Sequence, residues 1–354
     1  MRRLLLTALT TALLVPPGHA AADVLRESSE KVLDPTGLSG VRIENSRGRV
    51  DVQPSLDGRI HVIALKEVRA ASADERRRRA DETHVTAGTE NGVFAVHVDY
   101  AGSGSVHVEV WNLFGGFELP RCEVKLTVEV PPRLAVSVET ASGDVSCAGM
   151  TGPQNITASS GDIDIREVSG PLMINTSSGD LRATGLAAAR IRTSSGDVQI
   201  EHARGPVEIH THSGDVEVRA ASDSLAITTG SGDVVVGESA RGLHVQTSSG
   251  EIQVKGASGA VRLSTMSGDV TASLHGTLAS VEVSASSGEI VARFDRDASL
   301  RLDVRTSSGE VEAGLPLRVL SADRHRLNAT CGTGQTPVVL RSSSGDIHVT
   351  DGGR

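Results

Sequence analysis

Aromatic residues are nearly missing from this 354-residue chain, at 2% with one Trp, one Tyr and four Phe. So few rings cannot fill a broad globular core or line an extended sugar groove, which argues against the common polysaccharide lyases and hydrolases. Cysteine is scarce too. Cys122, Cys147 and Cys331 leave room for one disulfide and one free thiol in an oxidising compartment. Cys122 and Cys147, flanking the start of the first full repeat, are the expected pair, with three unpaired strand cysteines as the alternative. Beyond the first 22 residues no apolar run approaches the ~20 residues of a membrane-spanning helix. Positive charge is in deficit, with 35 Lys and Arg against 44 Asp and Glu and a formal net charge of −9. Nucleic acid and anionic lipid are therefore poor partners for the chain as a whole. No Gly-x-Ser-x-Gly, His-Glu-x-x-His or phosphate loop occurs, so the familiar signatures of acyl transfer, zinc hydrolysis and nucleotide binding are lacking.

What the chain does have is one short phrase repeated. Ser-Gly-Asp or Ser-Gly-Glu recurs eleven times, centred on Gly143, Gly161, Gly179, Gly196, Gly214, Gly232, Gly250, Gly268, Gly288, Gly309 and Gly345. Successive glycines are 17 to 21 residues apart, except for a final gap of 36 that reads as two ordinary periods. Such a period marks a stacked repeat architecture. Within a period, as in Leu172-Met173-Ile174-Asn175-Thr176, apolar and polar residues alternate, which is the pattern of a strand with one face buried. A second short strand follows each turn, as in Asp197-Val198-Gln199-Ile200. Each period thus reads strand, turn, strand, turn. One unit cannot bury its apolar face alone, so equivalent strands of neighbouring coils must pair in parallel. The predicted fold is all-β: a two-sheet parallel β-solenoid, β-roll-like, with about 18 residues per coil and a narrow interior of Val, Ile and Leu.

Glycine at the corner supplies a positive φ without a side-chain penalty. The Thr three positions earlier, as at Thr176, Thr193, Thr211, Thr229 and Thr247, shares the parity of the buried residues and is expected to bond turn backbone. The carboxylate after each Gly would repel its neighbours once stacked, so it calls for compensation. Asx-type bonding to turn N–H groups is the preferred reading, with calcium between successive turns as the alternative. No metal, cofactor or catalytic residue is assigned.

Taken in order, Met1-Arg2-Arg3, an apolar run and Ala20-Ala21-Ala22 form a signal peptide over 1–22. With no lipid-bearing Cys and no anchor in view, the product is expected free in the periplasm or outside the cell. Residues 23–133 form a less regular N-terminal β region, with Val41–Val52 a worn copy of the repeat in which Arg49 stands where the carboxylate would be. Residues 73–83, holding Arg76 to Arg79 among Asp74, Glu75, Asp81 and Glu82, read as a short self-neutralised helix. Trp111, Phe114 and Phe117 gather in one loop, as a hydrophobic plug or a sugar- or partner-binding spot. The repeat solenoid spans 134–350. Two- and three-residue insertions fall around Leu274 to Leu278 and Phe294 to Ala298, and a cap-like insertion occupies 315–336. His210 and His212 could chelate a metal from one strand face, but exposed polar strand residues are the simpler reading.

With Thr-Ser-Ser-Gly-Asp-Val in tandem, Pro131-Pro132 before the first full coil, and the closing stretch from Gly334 to Ile347, the chain resembles the bacterial β-strand-repeat family of putative adhesins and domains of unknown function. The resemblance covers residues 38 to 350. It implies the repeat fold and an exported or envelope-associated protein, and it brings no catalytic residues. The outward positions Arg190, Arg192, Glu208, His210, His244, Gln246, Arg262 and Ser264 carry no repeated side chain, which argues against a periodic ligand. The expected function is a non-catalytic, adhesin-like binding or display protein for an unknown envelope protein or glycan. A purely structural envelope-stress accessory module and a polysaccharide-acting β-helix enzyme are the alternatives.

Overall fold

The structure is a computed structural model that describes residues 24–70, 72–100 and 121–352. The signal segment and the Trp111, Phe114 and Phe117 loop lie outside the described residues. The chain divides into two compact units, Met1–Pro171 and Leu172–Arg354. Nearly every described element is a strand.

In the first unit, β1 (Val24–Leu33) runs antiparallel to β4 (Ile60–Arg69), which runs antiparallel to β7 (Arg121–Val130). Next come β3 (Val50–Pro54) and then Val145–Ala148 and Ile163–Arg166, all parallel. The second sheet runs from β5 (His84–Glu90) through β6 (Val93–Asp99) and β2 (Gly40–Asn45) to Ala135–Thr140 and Gln154–Ala158. The stretch read as a worn repeat, β2 and β3, is a true coil. It lies between the β6/β7 pair and the coil of 135–148, so spatial order departs from chain order. A helix, α1 (Ala73–Glu82), joins β4 to β5. Ser72 caps it, its hydroxyl accepting the Glu75 N–H at 3.2 Å, and Ala80 packs on Val68 and Cys122.

In the second unit the coils stack with single-residue fidelity. One column runs Ile174, Ile191, Ile209, Ile227, Val245, Leu263, Val283, Leu340 and Val304, each directly beside the next and all at most 1% exposed. Along this column the narrow interior is filled by branched aliphatics. Here too the last step is out of chain order. Thr336–Ser344 inserts between the strand of Val281–Ser287 and Leu300–Arg305. The 36-residue gap before Gly345 is therefore not two ordinary periods. Gly345 stacks on Gly288, and Gly309 stacks on Gly345. The residues between form an antiparallel hairpin, Arg318–Asp323 with Arg326–Cys331, laid along Leu300–Arg305. Such a hairpin ends the parallel ladder without a fresh coil edge.

The expected Cys122–Cys147 disulfide does not form, and all three cysteines are free and buried. Both lie in the same sheet, but β3 runs between their strands. Cys147 is level with Val52, whose partner on β7 is Val128, six residues beyond Cys122. The Cys122 sulfur lies 3.3 Å from the Thr83 hydroxyl, and burial pushes the Cys147 thiol up to about 12.

Candidate binding groove at a lengthened corner

Each coil of the second unit has two corners, and they differ in what they leave open. At the Ser-Gly-Asp corner nothing is open. Gly214 has φ 114°, and a Cβ there would sit 2.3 Å from the Gly196 carbonyl oxygen. Gly143 and Gly309 lack the positive φ, yet a Cβ at either would meet the stacked carbonyl oxygen at 2.0 Å. Close stacking, more than backbone sign, is what demands glycine at every corner. The carboxylates answer the repulsion problem by bonding to the neighbouring coil. Asp197, Asp215 and Asp233 each accept, at 2.8–2.9 Å, the N–H of the acidic residue one coil on. Asp144, Asp180, Asp269 and Asp346 do the same at 2.8–3.2 Å. Glu289 pairs with His348, and Glu310, on the outermost coil where no further corner is stacked, pairs with Arg324. Just inside, the hydroxyls of Thr176, Thr193, Thr211, Thr229 and Thr247 donate to the carbonyl two residues on at 2.8–3.2 Å. Among the described residues no three His, Cys, Asp or Glu side chains gather as metal ligands.

The opposite corner is governed by one column. Ala203, Ala221, Ser239 and Ala257 stand in register, followed by Leu274 and Phe294, and all are buried. Small residues let the first corners fold down tightly. Leu274 and Phe294 need more room, and the two- and three-residue insertions carry the backbone over them. The register between Ala257 and Ala260 slips where the longer corner begins. The result is an open groove of about 1330 Å³, with a floor of small residues, among them Ala220, Ser222 and Gly256. Its walls carry Glu238, Arg241, His275, Asp295, Arg296 and Asp297.

The wall residues are held unequally. The Gly276 N–H fixes Asp295 at 3.0 Å, and Arg296 reaches Asp351 at 3.8 Å. His275 lies over Gly256, so that a Cβ there would be 2.8 Å from the ring Nε2, and Glu238 flanks the same glycine. Among the described residues Glu238, Arg241 and Asp297 have no ion pair, which leaves donors and acceptors of both signs facing the groove. That arrangement suits a polar ligand recognised by hydrogen bonds.

His212 is exposed and His210 is half-buried. His210 lies 2.6 Å from Glu208, whose carboxyl is held below its usual range by that hydrogen bond and by Arg190 at 2.7 Å. The other outward positions named from sequence are exposed or half-buried, as expected. The groove itself was signalled by the two insertions and, less openly, by the Ala-to-Leu-to-Phe succession at one parity.

A profile of the Toastrack DUF4097 family matches residues 41–239 and 221–350. No curated protein matches the chain. Solved structures that are similar include a putative adhesin from Parabacteroides merdae ATCC 43184, at 10% identity over 75% of this chain and 95% of that one, with TM-score 0.29. A putative lipid binding protein from Parabacteroides distasonis ATCC 8503 is 12% identical over 91% and 96%, with TM-score 0.30. A putative cell adhesion protein from Clostridium sporogenes ATCC 15579 is 8% identical over 92% and 100%, with TM-score 0.22. At these scores the likenesses carry no functional argument.

Proposed function

This chain belongs to the Toastrack DUF4097 family, and from that premise we propose that it is an exported, non-catalytic binding protein of the bacterial envelope whose ligand sits in the lengthened-corner groove. The observation that carries this reading is the contrast between the two corners. One is sealed by stacked glycines and inter-coil Asp bonds, whereas the other is opened by two insertions and lined with polar side chains, of which Glu238, Arg241 and Asp297 form no ion pair among the described residues. Insertions on a repeat scaffold are favoured places for function, because they leave the stack intact. The basic, apolar and small-residue succession of residues 1–22 supports export. Among the described residues no helix is long and apolar enough to cross a membrane.

The test is a binding screen of the full chain against envelope glycans and purified envelope proteins, alongside Ser222→Trp, which fills the groove from an exposed floor position. A ligand bound by the wild type and lost in Ser222→Trp, with unchanged circular dichroism, supports the groove. A screen with no ligand would favour a purely structural module, and release of product from a glycan would favour an enzyme.

A further inference from the structure

The out-of-order closure of the second unit assembles a feature that no stretch of sequence displays. Arg326 stands directly opposite Arg305, and Arg305 stands beside Arg341 on its other flank. Three arginines thus line up across three adjacent strands, at the inter-strand interval of about 4.8 Å. The same face carries Arg301 opposite Thr330, and Thr330 opposite Arg318. All five arginines are exposed, while Leu300, Leu302, Val304, Leu327 and Ala329 alternate with them into the interior.

Like charges directly opposite one another destabilise a sheet, so neighbouring acids are expected to neutralise them. Elsewhere in this unit that happens: Arg190 meets Glu208, Arg219 meets Glu201 and Arg262 meets Glu282. On the closing face only Arg305 is matched, by Asp303 at 2.9 and 3.2 Å. Asp323, opposite Arg326, instead accepts the His325 N–H at 2.8 Å. Arg301, Arg318, Arg326 and Arg341 form no ion pair among the described residues. A concentrated cationic face therefore persists on a chain whose formal net charge is −9.

We propose that this arginine face is an anion-binding surface, separate from the groove, whose occupant is an extended acidic polysaccharide. Guanidinium forks match carboxylate and sulfate groups in two-point contacts, and arginines repeated across strands match anions repeated along a polymer. Nucleic acid is less suited, because the described residues of this face include no aromatic ring on which a base could stack. A membrane surface is less suited too. Val319 and Ala322 lie opposite Ala329 and Leu327, on the side away from the arginines, so one plane cannot meet both.

The full chain is titrated with polygalacturonate and heparin as probes, beside neutral dextran, duplex DNA and vesicles containing an anionic phospholipid. The expected result is salt-sensitive binding to the acidic glycans and none to dextran. In the double variant Arg326→Gln/Arg341→Gln the affinity falls at least tenfold, with a shallower salt dependence. Arg190→Gln/Arg262→Gln and Ser222→Trp leave it unchanged, which separates this face from the groove. The double variant keeps or slightly raises the melting temperature, since repulsion is relieved, and loses the upward shift that the glycan gives the wild type. No glycan binding, undiminished binding by Arg326→Gln/Arg341→Gln, or equal affinity for DNA or vesicles would each overturn the proposal.

Discussion

The two units close in the same way and finish the closure differently. In the first, the coil of β2 and β3 is flanked on its outer side by β6 and β7, which come later in the chain. In the second, the coil of 336–351 is flanked on its outer side by 300–313, which comes earlier. Both place antiparallel strands beyond the outermost coil, in the second unit on the 300–305 side alone, so that this ladder does not end on an open edge. The first unit then buries its closure. Val68, Ala80 and Cys122 pack together, and the Tyr100 hydroxyl has its one proton within reach of two acceptors, Asn45 Oδ1 at 2.6 Å and the Arg47 carbonyl, while accepting the Val124 N–H at 3.2 Å. The second leaves Arg318–Asp323 exposed at every residue, with Val319 at 53% and Leu320 at 61%. One closure is finished as a core. The other is finished only as backbone, and its surface is free for another purpose.

The sharpest way to break that contrast is to place the same charge in both. Val68→Asp is expected to cost more than about 4 kcal/mol, because it strands an unpaired carboxylate in an apolar pocket. Leu320→Asp is expected to stay within about 0.5 kcal/mol, as exposed substitutions do. Urea unfolding of the two variants reads both. Comparable losses would mean that the second hairpin is packed as the first is.

Next in size are the corners. Tyr100 is the chain's one tyrosine, and burial pushes its hydroxyl well above the usual phenol range. Tyr100→Phe leaves Asn45 and the Val124 N–H short of a buried partner and is expected to cost about 1–3 kcal/mol. Thr229→Val, which removes one 3.0 Å bond to Ser231 from a ladder of equals, should cost about 1 kcal/mol. Asp215→Glu is expected to cost less still, a melting shift of about 1 °C, since it loses the 2.9 Å bond to the Asp233 N–H at an exposed corner. A null result for Asp215→Glu would sink the claim that Asp rather than Glu bridges coils.

The regular coils were legible because their signals are local. Alternation placed Ile174 and Ile191 inside, and the corner Thr and Gly followed from parity and turn geometry. What sequence reading missed depends on partners far apart in the chain. It took the span from Gly309 to Gly345 for two periods, since a hairpin and a coil together are as long as two coils. It gave corner glycine to backbone sign alone, though Gly143 and Gly309 need it for space. It joined Cys122 to Cys147 because they are near in sequence, where β3 separates them in the sheet. The arginine row was invisible for the same reason: Arg305, Arg326 and Arg341 become neighbours only through the out-of-order insertion.

The smallest effect tests the charge side of the comparison. In the first unit, His61 lies 3.0 Å from Asp57 and 3.5 Å from Glu30, a matched set of charges, although Arg69 and Arg121 stand opposite one another there without an ion pair among the described residues. The hydrogen bond to Asp57 holds the His61 imidazole above its ordinary value of 6.5, and the Arg59 N–H and His61 hold Asp57 below 3.8. The two signs define a window. The Asp57 contribution is present above about pH 4 and fades as pH falls through its lowered value. The His61 contribution is complete below about pH 6.5 and fades as pH rises through its raised one. Titration of the His61 ring protons by NMR should therefore give a midpoint above 6.5 that drops in Asp57→Asn. A His61 midpoint unmoved by Asp57→Asn would mean that the pair is not formed in solution and adds nothing to the first closure.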